Sequence, residues 1–334
     1  MKKTFVIAEI GQAHDGSLGI LHSYIDALSK TGVDAIKFQT HIANAESSQE
    51  EPFRVNFSYV DSSRYDYWKR MEFTKEQWKD IKNHCDDVGL EFMSTPFSLE
   101  AVSLLEEIGV NRYKISSGDV ENFLLLERIA KTKKDVLISS GMSSFSELDR
   151  AVKFLDNFGV NLGIFQCTSM YPTPANKVGL NVIKEMQDRF DKPIGLSDHT
   201  GSIYASLAAV TLGASLIEVH AVFDKRMFGP DSVSSLEIDE IKQLVDGIRF
   251  IDLISSNPID KENNLEFMKM NKIFGKSLAV NKALKDGEII TFEDLECKKP
   301  SGCGIPAKDY KNVIGKKLKV TKNVQDFILQ EDIN

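Results

Sequence analysis

Cysteine is scarce. Only Cys85, Cys167, Cys297 and Cys303 occur in 334 residues, and no two of them form a CxxC pair. That excludes a disulfide scaffold and a cysteine zinc ribbon, and it fits reduced core or surface thiols in a cytoplasmic protein. Long apolar runs are also missing. None approaches about 18 residues, so no transmembrane helix is expected. The opening Met1-Lys2-Lys3 leads straight into Phe5-Val6-Ile7-Ala8-Glu9, too short an apolar run for a signal-peptide core. There is no basic run either. Lys and Arg number 41 against 49 Asp and Glu, a formal net charge of -8. An acidic chain of this kind is expected to bind neither nucleic acid nor membrane. A small anionic substrate stays open, because local lysines can outweigh the net charge.

What is present is an alternation. The composition, 42% hydrophobic and 27% charged, is that of a soluble globular protein long enough for one large domain and one small one. Short apolar runs at 4–9, 35–39, 90–94, 112–115, 135–139, 162–166, 193–196 and 215–219 read as strands. Amphipathic stretches at 18–30, 75–88, 99–108, 123–130, 146–158, 180–190, 203–212 and 238–254 read as helices, with Ser17 and Thr74 placed as N-caps. The last presents Ile238, Ile241, Leu244, Val245 and Ile248 on one face. Eight strands, each followed by a helix, over roughly 250 residues are the count and length of a (β/α)8 TIM barrel. A doubly wound open sheet is the runner-up, but no GxGxxG follows the first strand. Residues 41–72 read as a polar, irregular excursion, and such loops are usually functional or disordered.

The tail differs. The expected division is a catalytic barrel over 1–255, a linker over 256–274 with helical character at 265–272, and a small β-rich domain over 275–334. Within that last domain, residues 285–295 and 323–333 form a faint repeat, each a turn, an apolar step and an acidic stop. About 60 residues give a thin core that should lean on something larger.

Polar residues at the C-terminal ends of barrel strands are read as binding or catalytic. Two short apolar runs, 193–196 and 215–219, lead into His199 and His220. A lone histidine is more often a satisfied core or surface group. Two at the ends of neighbouring parallel strands would point at one volume, which is metal-site geometry. Lys37 and Lys114 each lie inside an apolar strand, where an unpaired ammonium would be costly. Two such lysines ringed by hydroxyls suit a phosphate and a carboxylate. Glu9 needs a partner for the same reason and could be a base, a proton donor or a hydroxyl-positioning group. Gln39, Thr95, Ser117, Asp119, Ser139, Ser169, Tyr171 and Ser197 complete the strand-end set. Taken singly, each Ser or Thr is more simply read as a local backbone hydrogen bond. The lysines leave a second chemistry open, in which a desolvated Lys114 forms a Schiff base with a keto acid.

The strings Ala8-Glu9-Ile10-Gly11, Lys37-Phe38-Gln39-Thr40, Ser94-Thr95-Pro96-Phe97, Tyr113-Lys114-Ile115-Ser116-Ser117-Gly118, Ser140-Gly141-Met142, Cys167-Thr168-Ser169-Met170-Tyr171-Pro172-Thr173, Gly195-Leu196-Ser197-Asp198-His199 and Gly229-Pro230-Asp231 resemble the sialic acid synthase family. That family comprises the N-acetylneuraminate, legionaminate and pseudaminate synthases. The resemblance runs over essentially the whole chain, and the tail is similar to the family's C-terminal antifreeze-like (SAF, β-clip) domain. It implies a condensation of phosphoenolpyruvate with the open-chain aldehyde of an amino sugar, giving a nine-carbon 3-deoxy-2-keto acid and phosphate. It implies that His199 and His220 hold Mn2+, with Mg2+ or Co2+ as alternatives. Lys37, Lys114, Thr95, Ser117, Ser139, Ser169 and Ser197 would line the phosphoenolpyruvate site. Glu9, Gln39, Tyr171 and Asp231 would face the sugar. A homodimer is implied, with the small domain of one subunit over the barrel mouth of the other.

Three positions depart from the family's commonest pattern. Val219 stands where the residue before the second histidine is usually basic, and Asp119 where Glu is frequent. Lys299 stands where many members carry an arginine that reaches the sugar's N-acetyl group. Lysine cannot reproduce the planar bidentate contact of arginine, so the departures bear on the acyl group and identity of the sugar. N-acetylmannosamine, its 6-phosphate and a 6-deoxy-diamino hexose all remain open as acceptors. Three functions are therefore carried forward: a metal-dependent condensing synthase, a metal-independent aldolase using Lys114, and a non-enzymatic sugar-binding protein.

Overall fold

Eight parallel strands close on themselves in the order in which the chain makes them. They are β1 (Phe5–Glu9), β2 (Ala35–Thr40), β3 (Glu91–Pro96), β4 (Arg112–Ile115), β5 (Asp135–Ser139), β6 (Leu162–Cys167), β7 (Ile194–Asp198) and β8 (Leu216–Val222). Each pairs with its successor, and β8 returns to β1 in a register that sets Glu9 opposite His220. The expected (β/α)8 barrel is therefore present. A two-residue strand, β9 (Leu236–Glu237), pairs in parallel with the end of β8, Leu236 opposite Ala221. This computed structural model describes residues 3–263 and 265–334; Met1 and Lys2 of the expected barrel domain, and Asn264 of the expected linker, lie outside the described residues.

Side-chain alternation along each strand sorts the barrel into layers. On β8, Ile217, Val219 and Ala221 join the core between the strands and the helices, while Leu216 joins a separate cluster. That second cluster, Ile7, Ala35, Met93, Leu137, Phe165 and Leu216 with Phe5 packed against it, fills the N-terminal half of the bore. At this end the Arg112 guanidinium lies 4.8 Å from the Phe5 ring centroid and pairs with Glu91 and Asp135. Gly195 is required where it stands, since a Cβ there would strike the backbone of Leu216 on the neighbouring strand.

The helices follow the sequence pattern closely because their start signals are local. Thr74 and Gln77 form a capping box at the head of Lys75–Asp87, and Ser98 caps Leu99–Ile108. The helix Ile238–Ser255 buries Ile241, Leu244, Val245 and Ile248. The last strands run further than the apolar pattern indicates. Ser197, Asp198 and His220 are strand residues, because parallel pairing with both neighbours overrides their polarity. Residues 41–72 are not irregular throughout. They contain the helices Ala43–Glu46 and Arg64–Met71, which bury Tyr67, Trp68 and Met71 against Ala43, Phe53, Phe57 and Tyr65. Aromatics scattered among polar residues made this small core invisible to a periodicity reading.

The chain divides into two compact units, one running to Asn257 and the other Pro258–Asn334. In the second, β10 (Ser277–Val280) pairs antiparallel with β11 (Leu295–Lys298). Nine buried residues, among them Leu278, Val280, Ile290, Val313 and Ile328, make its core. The helix Met268–Phe274 is tied to this unit, because Ser301 N–H donates to the Lys272 carbonyl at 3.0 Å. The repeat is structural. Ile290 and Ile328 are both fully buried, and Asp294 and Asp332 each close a 3₁₀ turn by accepting from the backbone N–H three residues before. No helix of the described residues is long and apolar enough to cross a membrane.

Candidate active site

Two residues beyond each apolar position of the bore, the same strands present polar groups. Ile7 gives way to Glu9, Ala35 to Lys37, Met93 to Thr95, Leu137 to Ser139, Gly195 to Ser197 and Leu216 to Glu218, and all these polar residues line one cavity of about 60 Å³. Gln39, Phe97, Lys114, Ser116, Ser117, Cys167, Tyr171, His199 and His220 complete its wall. A wider cavity of about 480 Å³ shares Gln39, Ser117, Tyr171 and His220 with it, so the two adjoin. Asp119, Ser169 and Asp231 line only the wider one. Every site residue expected from the sequence within the first compact unit lines one of these two cavities. Lys299 belongs to the second compact unit, where its ammonium lies 5.0 Å from the Phe274 ring centroid.

The deep cavity is a charge-balanced network. Lys37 Nζ lies 3.0 Å from Glu9 Oε2 and 3.0 Å from Glu218 Oε1. Lys114 Nζ donates to Ser139 Oγ at 2.6 Å and sits 3.5 Å from Glu218 Oε1. Ser197 Oγ also donates to Glu218 Oε1, at 3.0 Å. Glu218 was missed as a site residue. The signal was available: it lies two positions before His220, hence on the same face of β8, and it is a carboxylate inside an apolar strand. Burial would raise both carboxyls. His220 and Lys37 hold Glu9 well below the usual carboxylate range, and Lys114 and Lys37 do the same for Glu218. Burial would lower Lys37, but Glu218 and Glu9 reverse this and raise it. Lys114 goes the other way. Burial and the like charge of Lys37 lower it, against the pull of Glu218. Buried ion networks contribute little net stability, because desolvation offsets most of the attraction. Four such groups in one place therefore point to chemistry.

The two histidines stand at the top of this network. Their ring centroids are 5.3 Å apart, with Tyr171 stacked on His199 at 4.1 Å. His199 Nδ1 lies 3.0 Å from the Thr168 carbonyl oxygen, which can only accept, so Nδ1 carries the proton and Nε2 keeps its lone pair. His220 Nε2 lies 3.2 Å from Glu9 Oε2. Among the described residues no three His, Cys, Asp or Glu side chains form a ready-made metal cage. The protein offers two imidazoles beside one carboxylate. Val219, between Glu218 and His220, points outward into the helix-facing core, so its departure from a basic residue does not touch the cavity. Cys167 Sγ lies 3.9 Å from His199 Nδ1; burial would raise its thiol, but His199 lowers it.

Hydroxyls converge where the cavities meet. A Cβ on Gly141 would collide with both Ser117 Oγ and Ser169 Oγ, so only glycine lets these two approach. Asp119 is held by Ser116, which donates to Oδ2 at 2.6 Å, and by Asn122, which donates to Oδ1 at 3.0 Å. Asp231 pairs with Arg54, whose guanidinium lies 4.3 Å from the Tyr171 ring centroid. Arg54, with His41, Glu46, Glu51, Arg64 and Trp68, comes from the 41–72 excursion, which therefore forms one wall of the mouth.

Comparison with known proteins agrees with this geometry. Residues 24–259 match the NeuB family. The chain is 36% identical over 338 residues to the N,N'-diacetyllegionaminic acid synthase of Campylobacter jejuni, covering 99% of this chain and all of the relative. It is 34% identical to the human N-acetylneuraminate-9-phosphate synthase, covering 98% of this chain and 92% of that one. A crystal structure of N-acetylneuraminic acid synthetase from Leptospira borgpetersenii superposes with a TM-score of 0.71 at 30% identity, over 80% of this chain and 90% of that one.

Proposed function

The chain belongs to the NeuB family of sialic acid synthases, and on that premise we propose that it condenses phosphoenolpyruvate with the open-chain aldehyde of an N-acetylated amino sugar. Members of the family are carbon–carbon bond-forming enzymes that use phosphoenolpyruvate, and this chain is one of them. The observation that carries the reaction is the adjoining pair of cavities. The small one holds two buried lysines among hydroxyls, and the larger one has room for a sugar.

In this reading Lys37 and Lys114 receive the phosphate and carboxylate of phosphoenolpyruvate. Thr95, Ser117, Ser139, Ser169 and Ser197 supply hydrogen bonds to the remaining oxygens. Glu9 and Glu218 position both lysines and favour the charged form of Lys37 before substrate arrives. Carbon 3 of phosphoenolpyruvate attacks the aldehyde carbon, and the aldehyde oxygen takes a proton to become a hydroxyl. Water adds at carbon 2, and phosphate leaves with cleavage of the C–O bond, giving the nine-carbon 3-deoxy-2-keto acid. Glu9, hydrogen-bonded by Gln39 Nε2 at 2.6 Å and next to His220, is the group that positions or moves a proton at the aldehyde end. Gln39, Tyr171 and Asp231 face the sugar.

His199 and His220 would hold a divalent ion, since both are imidazole donors and the hydrogen bond at His199 Nδ1 leaves its Nε2 lone pair free. Such an ion, Mn2+ in our reading, supplies Lewis-acid polarisation of a carbonyl. The resemblance of the tail to an antifreeze-like domain and its thin core support a homodimer, with Lys299 of one subunit facing the acceptor of the other. A cytoplasmic location belongs to the same reading and is supported by four unpaired thiols.

The test is a phosphate-release assay with a panel of amino sugars and mass spectrometry of the product. Release should require phosphoenolpyruvate, an amino sugar and a divalent ion, and the product should be a nine-carbon keto acid. Full activity after exhaustive chelation would overturn the metal role. Borohydride trapping of a keto acid on Lys114 would overturn the condensation in favour of an imine aldolase.

A further inference from the structure

Some buried side-chain atoms without a hydrogen-bond partner lie at the two cavities. Among the described residues these include Glu46 Oε2 and Ser169 Oγ, which line the mouth, and Glu218 Oε2 below it. An orphaned buried group is costly unless something completes it. Glu46 is the most informative of the three, because its surroundings fix it in place. Its side chain is 6% exposed. Its other oxygen, Oε1, accepts from His41 Nδ1 at 2.6 Å. The His41 ring is itself clamped, stacked on Trp68 at 3.9 Å and on Phe97 at 4.6 Å. His41 Nε2 then accepts from Gln12 Nε2 at 3.0 Å, Gln12 donates to Gln39 Oε1, and Gln39 donates to Glu9. Glu46 therefore cannot turn away, and Oε2 is left as a rigid acceptor in the wall of the mouth.

The charges of the mouth narrow what could meet it. Its lining carries four carboxylates, Glu46, Glu51, Asp119 and Asp231, against two guanidiniums, Arg54 and Arg64. Arg54 is paired with Asp231, and Arg64 Nε lies 3.5 Å from Glu51 Oε1. No guanidinium is left without a carboxylate, so an incoming phosphate would have to break an existing pair and face a net negative wall. An N–H or O–H of an uncharged molecule meets neither cost.

We propose that Glu46 is a specificity-determining residue, whose Oε2 accepts a hydrogen bond from an amide N–H or hydroxyl of an uncharged acceptor sugar, and that the mouth discriminates against phosphorylated acceptors. This rests on the condensing reading above and adds to it the chemical class of the acceptor. Only the acceptor side of the kinetics should feel Glu46, because the deep cavity that takes phosphoenolpyruvate is lined by other residues.

The experiment is steady-state phosphate release by the full chain, wild type and Glu46→Gln, with N-acetylmannosamine, its 6-phosphate and a 6-deoxy-diamino hexose as acceptors. Wild type should use an uncharged acceptor at least about tenfold better than the 6-phosphate. Glu46→Gln should raise the KM for that acceptor about tenfold or more, the loss of one charge-assisted hydrogen bond, with kcat and the KM for phosphoenolpyruvate within about twofold. A thermal midpoint unchanged in the variant excludes misfolding, and Glu46→Asp, should Gln destabilise the helix, must show the same split. Preference for the 6-phosphate, an unmoved acceptor KM, or equal changes in both KM values would overturn the inference while leaving the condensation standing. No phosphate release by wild type with any acceptor would overturn both.

Discussion

The two ends of the barrel bore are built from the same strands and separated by a single step of the side-chain alternation, yet they answer different demands. At the N-terminal end, Phe5, Ile7, Met93, Leu137, Phe165 and Leu216 pack as a dry plug under the pairing of Arg112 with Glu91 and Asp135. At the C-terminal end, Glu9, Lys37, Lys114 and Glu218 are just as buried but bring charge into a place where burial is costly. The lower end is apolar packing and the upper end a buried charge network, and their separation by two residues per strand predicts that one can be altered without the other.

That contrast can be broken by substitution. Lys37→Met should lower kcat/KM for phosphoenolpyruvate by about a thousandfold, as removal of a preorganised charge at a reacting centre does; less than a tenfold loss in the phosphate-release assay would remove Lys37 from the site. Phe165→Ala, one layer down, should cost about 3–5 kcal/mol in urea unfolding while leaving kcat of the folded fraction unchanged. A fall in kcat matching the fall in stability would mean the two layers are not independent.

A third test sharpens the comparison through pH. His14, in the loop after β1, accepts a hydrogen bond from Gly16 N–H at its Nδ1, 3.0 Å away. Burial, with His41 and Arg70 nearby, pushes its pKa down from 6.5 to about 3. The folded protein keeps His14 neutral where the unfolded chain takes up a proton. Its contribution to stability is therefore complete above pH 6.5 and drains away as pH falls toward 3. Between pH 7 and 5 this amounts to about 2 kcal/mol. His14→Gln should flatten the dependence of the unfolding free energy over that window; an unchanged slope would show that other groups set it. The smallest effect is expected at Val219. Val219→Ala should cost about 1–2 kcal/mol of stability and leave both substrate KM values within twofold, since the side chain faces the helices.

The barrel and much of its site were legible in the sequence because both are written in short-range signals. Strand alternation, N-caps such as Thr74, and polar residues closing apolar runs each act within a few positions. Lys37, Lys114 and Glu9 stood out since a charge inside an apolar strand must have a partner. Glu218 carries the same mark, a carboxylate inside an apolar strand, two residues before a histidine that is the more conspicuous signal. The wall of the mouth was not legible. The core of Tyr67, Trp68 and Met71 with Phe53 and Phe57 is assembled from residues irregularly spaced in a polar stretch, and no period announces it. His41 and Glu46 become a unit only when Trp68 and Phe97, from distant parts of the chain, close on the imidazole. Lys299 is a different case, a position suggested by resemblance alone and lying, as expected, in the small C-terminal unit.

The placement of the chain's two tryptophans has a practical use. Trp78 is sealed in the wall between strands and helices, edge-on to Phe38 and Phe92, while Trp68 lies in the mouth against the His41 imidazole with Nε1 donating to Glu51 Oε2 at 3.0 Å. The protein thereby carries an intrinsic optical reporter and its own reference. Ligand entry is expected to alter the fluorescence of the indole at the mouth and to leave that of the sealed one constant. Acceptor binding can then be followed as emission, free of turnover, in a Trp78→Phe background that leaves Trp68 as the sole emitter.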